Sequence, residues 1–314
     1  MRIARACNLV AALGLALEFA AAAATAQPLQ GPEIRVDWGA VLSPPGQQLA
    51  DHRRINAAVR SLKPQRAGVV DAYVIVVALD ADPVFNREAR EAGRVLSRRF
   101  AAEGRTVVLA ADESPAKASA PGSLNHLAIA LAATAEVMDR KEDVLVLYST
   151  SHGHPVGGLV YKDVARGIGG VPPAKLAQLI DAPGFRNRLL IIQACYSGQF
   201  VGPLAAERTI VATASAADRP SFGCSAGNDW TLYGHALVNL AMREPQPLDA
   251  QFRRAVEVVS EAEQRAGLPP SNPQLSIGAA TAGWLKALEA RAPKTATKPI
   301  GEPPADVAEL ERAQ

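Results

Sequence analysis

The chain alternates between short, wholly apolar runs and longer stretches in which apolar residues return every three or four positions. "AYVIVVAL" at 72–79 is rich in β-branched residues and has no polar face, the pattern of a strand covered on both sides. Similar runs stand at 105–111 ("RTVVLAA"), 143–151 ("DVLVLYSTS"), 188–194 ("RLLIIQA") and 208–216 ("RTIVATASA"), with a last candidate, "PQLSIG", at 273–278. Between them the period becomes helical: 48–62, 88–104 ending at Gly104, a helix from a Ser123 cap to Asp139, 174–181 and 248–267. Strands alternating with helices of this length predict an α/β fold: an open, mostly parallel sheet of about six strands with helices on both faces.

The remaining segments mark boundaries. Arg2 and Arg5 precede an alanine-rich apolar run from Asn8 to Ala24, and Ala24-Thr25-Ala26 is the small-x-small pattern of a signal peptidase site. Residues 1–26 therefore read as a signal peptide cleaved before Gln27, which predicts an exported protein, periplasmic or secreted. Residues 27–68 form an N-terminal extension with a turn at Pro44-Pro45-Gly46, and 69–291 form the main domain. The stretch 112–122 is a polar loop, and from 292 to 314 the composition of Ala, Pro, Lys and Glu predicts a disordered tail. No internal repeat is visible.

Composition removes several functions. Hydrophobic residues make up 48% of the 314, enough for a core without disulfide staples. The 33 basic and 31 acidic side chains leave a net charge of +2, which offers no surface for nucleic acid, and "LSRRF" has no aromatic platform beside it. No apolar segment after the signal peptide is long enough to cross a bilayer. There is no H-E-x-x-H and no clustered Cys/His spacing, so no metal is expected, and "GIGG" at 167–170 lacks a dinucleotide fingerprint and reads as a loop. No cofactor is implied, and without a G-x-S-x-G elbow Ser197 is not placed as a nucleophile.

Two strands end in reactive residues. In open parallel sheets chemistry collects at the carboxyl edge of the strands. The third strand runs out through "STSHGH", which places His152 and Gly153 there, and the fourth through "QACYSG", which places Cys195 there. The interval between them has room for a loop and one crossover helix, and parallel strands joined in that way are commonly neighbours. A thiol near its ordinary pKa of about 8.5 is a poor nucleophile until a base or a positive neighbour favours the thiolate. An imidazole, with a pKa of about 6.5, can remove that proton and return one to a leaving amine. Gly153 allows close backbone approach to a substrate, and its N–H, with that of Cys195, can hold an oxyanion.

"S-H-G" at one strand end and "Q-A-C-x-x-G" at the next resemble the legumain family of cysteine peptidases, which has a caspase-like fold. The stretch 210–239, "IVATASAADRPSFGCSAGNDWTLYGHALVN", is similar to the segment that carries a serine, an aromatic and a cysteine before "Y-x-G-D". "VFNREAREA" at 84–92 is similar to the loop that sends an arginine into the specificity pocket. The resemblance implies a cysteine endopeptidase with Cys195 as nucleophile and His152 as general base and acid. It implies oxyanion donors from Gly153 and Cys195, a pocket lined by Arg87 and Ser221, and a peptide or protein substrate. Two positions depart: His235 stands where the family has the pocket aspartate, and Glu88 where it has a histidine.

Several alternatives stay open at this stage. Cys195 and Cys224 can pair as a disulfide, which would silence the thiol, or Cys224 can be structural, as the family's cysteine at that position suggests. A non-catalytic caspase-like binding domain remains the rival, and a transpeptidase or ligase would use the same two residues. His154 is a second candidate base; His126 reads as a packing histidine and His52 as a solvated one. The sequence does not indicate an oligomeric state.

Overall fold

The computed structural model describes residues 44–111, 119–163, 167–305 and 307. In chain order they form α1 (Pro45–Arg60), β1 (Ala72–Ala78), α2 (Pro83–Arg99), β2 (Thr106–Leu109), α3 (Leu124–Val137), β3 (Val144–Thr150), β4 (Gly153–His154), β5 (Gly158–Asp163) and β6 (Gly167–Val171). There follow α4 (Pro173–Asp181), β7 (Asn187–Gln193), α5 (Val201–Leu204), β8 (Thr209–Thr213), α6 (Leu232–Gly234), α7 (Leu248–Arg265), β9 (Gln274–Ile277) and α8 (Ala282–Glu289). The main sheet has six strands in the order β2-β1-β3-β7-β8-β9, all parallel except the antiparallel edge strand β9. This is the α/β, caspase-like architecture expected above.

Alternation along the central strands divides the core between the two faces of the sheet. Val74, Val76, Val146, Tyr148, Leu189 and Ile191 pack with α2, α7 and α8 on one side. Ile75, Val77, Leu145, Leu147, Leu190 and Ile192 pack with α1, α3 and α4 on the other. Every residue of β1, β3 and β7 is buried, which is why these strands read as unbroken apolar runs. Among the described residues no helix is long and apolar enough to cross a membrane.

Four features differ from the sequence expectations. The helix expected at 88–104 begins at Pro83 instead, because proline is pre-organised for the first helical turn and Val84 and Phe85 are buried. It ends at Arg99, where Ala101 (φ 49°) and Gly104 (φ 80°) turn the chain into β2. "GIGG", expected as a loop, lies within β6, the edge of a small antiparallel sheet β4-β5-β6 inserted after β3. Its glycines leave little side-chain periodicity to read. Helix α8 was not foreseen.

The stretch expected as a disordered tail also departs from that reading as far as Val307. Trp230 Nε1 donates to Ile300 O (2.8 Å), Ile300 N to Asn239 Oδ1 (3.0 Å) and Ala305 N to Asn228 Oδ1 (2.9 Å), while Val307 is buried in the core. Backbone amides, which composition does not report, hold it to the 228–239 segment. The predicted signal peptide, the extension as far as residue 43 and most of the 112–122 loop lie outside the described residues.

Candidate active site

Strands β3 and β7 lie side by side in register, with Thr150 opposite Gln193. Ser151 N donates to Gln193 O (3.2 Å) and carries the pairing one residue further. His152 and Cys195 thus leave adjacent strands at the same edge. Gly153 lies directly on the Cys195 backbone: a Cβ there would stand 2.8 Å from the Cys195 carbonyl carbon and 3.0 Å from its amide nitrogen. Only glycine permits that approach, so the two strand tips meet because residue 153 has no side chain.

His152 is held from three directions. Its carbonyl accepts from Val160 N (2.8 Å), which ties the backbone to β5. Its ring meets Phe85 edge-to-face, with centroids 4.9 Å apart at 84°. Its Nε2 stands 3.3 Å from Asp82 Oδ2, and Lys162 Nζ donates to the other oxygen of that carboxylate at 2.8 Å. The Lys162 ammonium, followed by His152, holds the Asp82 carboxyl below its ordinary range, so Asp82 is ionised beside the ring. Asp82 and Lys162 were not found by sequence reasoning. They lie 70 and 10 residues from His152, and a lone Asp in "DADP" or Lys in "YKD" carries no local signature.

Cys195 sits on a sharp turn. Tyr196, directly after it, adopts a left-handed φ of 57°, uncommon for a bulky residue. Tyr196 N donates to Arg219 O (2.8 Å), and Ser197 N to Ser215 Oγ (3.2 Å). A Cβ at Gly198 would come 2.6 Å from the Ala216 carbonyl carbon, so close packing requires glycine there. The thiol lies between the amide and the carbonyl of Ser221, each 3.3 Å from Sγ.

Neither Cys195 nor Cys224 forms a disulfide. The Cys224 thiol hydrogen-bonds the Cys195 sulfur, and this is the largest influence lowering the Cys195 pKa to about 6; burial opposes it, and Ser221 N–H and the charge of His152 assist. These contacts favour the thiolate form of the sulfur. Four influences converge on it: a second thiol, two backbone amides and an imidazole.

The other candidates occupy varied positions. Ser221 is buried and meets the thiol through its backbone. Arg87 reaches the loop after Cys224, donating to the carbonyls of Ala226 and Asn228 and standing 3.6 Å from Asp229. His235 is buried in a π-helical turn with its Nδ1 3.2 Å from Asn239 Nδ2, and burial lowers it to about 4, so it is neutral. Glu88 is fully buried; it accepts from Tyr148 OH (2.7 Å), Thr231 N (2.8 Å) and Thr231 Oγ1 (2.7 Å), and burial raises its carboxyl. It joins α2, β3 and the segment before α6. His154 is exposed, and its Nδ1 accepts from Val156 N and Gly157 N, closing the β4–β5 turn. His126 bonds Pro121 O and His52 bonds Asn56, both away from the thiol.

One group here has the composition of a metal ligand set. A carboxylate oxygen from each of Asp80 and Asp82 and a ring nitrogen of His152 lie within 4.8 Å of one another. No other such group is found among the described residues.

A family model described as the peptidase C13 family matches residues 122–283, about half of the chain. The matched span includes His152, Gly153, Cys195, Ser221, Cys224 and His235; Asp82 and Arg87 lie before it. No curated protein matches the chain. With the strand order, the adjoining "S-H-G" and "Q-A-C" tips and this match in agreement, the chain belongs to the peptidase C13 family, the legumain family of cysteine peptidases.

Proposed function

We propose that the protein is an endopeptidase that cleaves peptide bonds through a thioester on Cys195, with His152 as general acid and base. The observation that carries this reading is the seating of Gly153 on the Cys195 backbone, because it joins imidazole, thiol and two amide donors at one strand edge. In this mechanism the thiolate attacks the carbonyl carbon, and the oxyanion forms between the amides of Gly153 and Cys195. His152, carrying the proton taken from the Cys195 thiol, delivers it to the departing amine as the C–N bond breaks. It then removes a proton from water as the water oxygen attacks the thioester; the C–S bond breaks, the acid leaves, and the thiolate beside a protonated imidazole is restored. Asp82 acts as a positioning residue: ionised and tied to Lys162, it holds the imidazole Nε2 and leaves Nδ1 for the chemistry.

No disulfide joins Cys195 to Cys224, which favours catalysis over the rival of a binding domain silenced by such a bond. Transfer of the acyl group to an amine would pass through the same thioester. His235, buried and neutral, stands where the family has its pocket aspartate, so the family's residue preference before the scissile bond is not carried over to this chain. The substrate is a peptide or protein chain, and no cofactor enters the mechanism. The N-terminal pattern supports export, and sequencing of the mature protein should begin at Gln27; an intact Met1 in the exported fraction would refute cleavage.

The test is iodoacetamide labelling of Cys195 across pH, with the modified peptide quantified by mass spectrometry. The rate should rise with pH through a midpoint at about 6, because the thiolate is the reacting form and its folded-state pKa is lowered to that value. Cys224→Ala removes the largest lowering influence and should move the midpoint up toward about 8.5. His152→Ala should move it in the same direction by less. A wild-type midpoint near 8.5, unmoved by either change, would refute the activated thiol.

A further inference from the structure

We propose that Asp80, Asp82 and His152 form a binding site for a borderline divalent cation of the Zn2+ class, and that filling it switches the peptidase off reversibly. The inhibitory consequence rests on the peptidase reading above; binding itself does not.

The donor set fits such an ion. Imidazole with two carboxylates suits Zn2+, whereas Ca2+ and Mg2+ take shells of oxygen alone. Asp82 Oδ2 and His152 Nε2 are 3.3 Å apart. Two ligand atoms at about 2.0–2.1 Å from one tetrahedral Zn2+ stand roughly this far apart, so those two need not move to share it.

Asp80 supplies the independent indication. It is 1% exposed, and its Oδ1 accepts from Asp82 N at 3.0 Å. Among the described residues its Oδ2 is buried without a hydrogen-bond partner. A buried carboxylate oxygen without a donor is costly, and a cation shared with Asp82 and His152 would satisfy it.

The surroundings are pre-organised and incompletely neutralised. Asp80 and Asp82 leave β1 on a segment fixed by Leu79 N to Thr150 O (3.0 Å) and Ala81 N to Lys162 O (2.7 Å). The His152 ring is held against Phe85. Two carboxylates face one ammonium, and Lys162 binds Asp82 through Oδ1, the oxygen that His152 does not use. The Lys162 side chain is 37% exposed and can withdraw toward solvent when a cation arrives.

Inhibition follows from the imidazole. A Lewis acid on Nε2 occupies that lone pair, so the single proton of the neutral ring moves to Nδ1, which then has no lone pair to accept another, and Asp82 is drawn from the ring to the ion. The general base is weakened while Cys195 remains free.

The experiment uses the chelator-treated mature protein carrying Cys195→Ala, which removes the thiolate as a competing ligand. Co2+ and Zn2+ are titrated by visible absorption and calorimetry. One ion should bind per chain, and the Co2+ complex should show d–d bands. Asp80→Asn in the same background keeps an acceptor for Asp82 N and should weaken binding roughly 10–100-fold, a range known even for partners outside the first shell. His152→Ala should weaken it comparably, so a folding failure of one variant, seen by circular dichroism, leaves the other decisive. In the protein with its thiol, Zn2+ should inhibit peptide turnover, a chelator should restore it, and Asp80→Asn should raise the inhibitory concentration by the same factor. Loss of binding with Cys195→Ala alone would put the ion on the sulfur and overturn the proposal, as would unchanged affinity in Asp80→Asn and His152→Ala. Binding as described in a protein without turnover would uphold the site and refute the peptidase reading instead.

Discussion

Replacing Cys195 by alanine is expected to lower peptide turnover by at least about 10⁴-fold, the scale on which loss of a covalent nucleophile registers in well-studied hydrolases. The residue has two functions that no neighbour can assume. In the proposed mechanism its sulfur forms the thioester, and it directly precedes the left-handed Tyr196 turn at the sheet edge. Cys224 is not expected to substitute, because its thiol hydrogen-bonds the Cys195 sulfur and its side chain packs against the core. Ser197 is buried against Ser215. The fold should be unaffected, since alanine fits wherever the thiol did and β7 is complete before residue 195. Turnover is measured on a peptide library with wild type and variant purified in parallel. Activity surviving in Cys195→Ala would mean that another group, or another protein, performs the cleavage.

Gly153→Ala is expected to cost activity almost as severely, and for a different reason. A methyl at 153 would overlap the carbonyl of Cys195, with the amide nitrogen of that residue only 3.0 Å away. Both partners are backbone, so no rotamer change relieves the contact and the two strand tips must separate. Separation moves the Gly153 amide away from the oxyanion and the imidazole away from the sulfur. Loss of one oxyanion donor alone is worth about 2.7–4 kcal/mol, or 10²–10³ in kcat. The control is Gly157→Ala in the neighbouring turn, where the nearest atom to a new Cβ, His154 Nδ1, lies at an ordinary 3.4 Å. That variant should retain its activity. A Gly153→Ala protein with wild-type kcat and melting temperature would show that the strand tips are not packed as described.

Legibility in the sequence followed the kind of interaction involved. The central strands were plain because β1, β3 and β7 are buried on both faces, which turns burial into an uninterrupted apolar run. The strand tips followed from topology, since a crossover between parallel strands predicts adjacency, and β3 and β7 are adjacent. The small β4-β5-β6 sheet escaped notice because it is short and glycine-rich and is inserted between the two diagnostic tips. Its Lys162 reaches back to Asp82 across 80 residues, a pairing that no local pattern encodes. The resemblance at 84–92 named Arg87 for the pocket, and the structure directs its guanidinium to the carbonyls of 226 and 228. Charge and position were legible there; the direction of a long side chain was not. The final segment read as disordered because its composition is polar, yet its backbone amides bond to Asn228, Asp229 and Asn239.

The most direct measurement is acid-quench trapping of the covalent intermediate. Wild-type protein is mixed with an activated acyl-peptide ester, quenched within milliseconds to seconds and mapped by mass spectrometry. The account predicts an acyl adduct on the peptide containing Cys195, removable by hydroxylamine, absent from Cys195→Ala and slow to form in His152→Ala. Turnover without that adduct, or an adduct on any other residue, would contradict it.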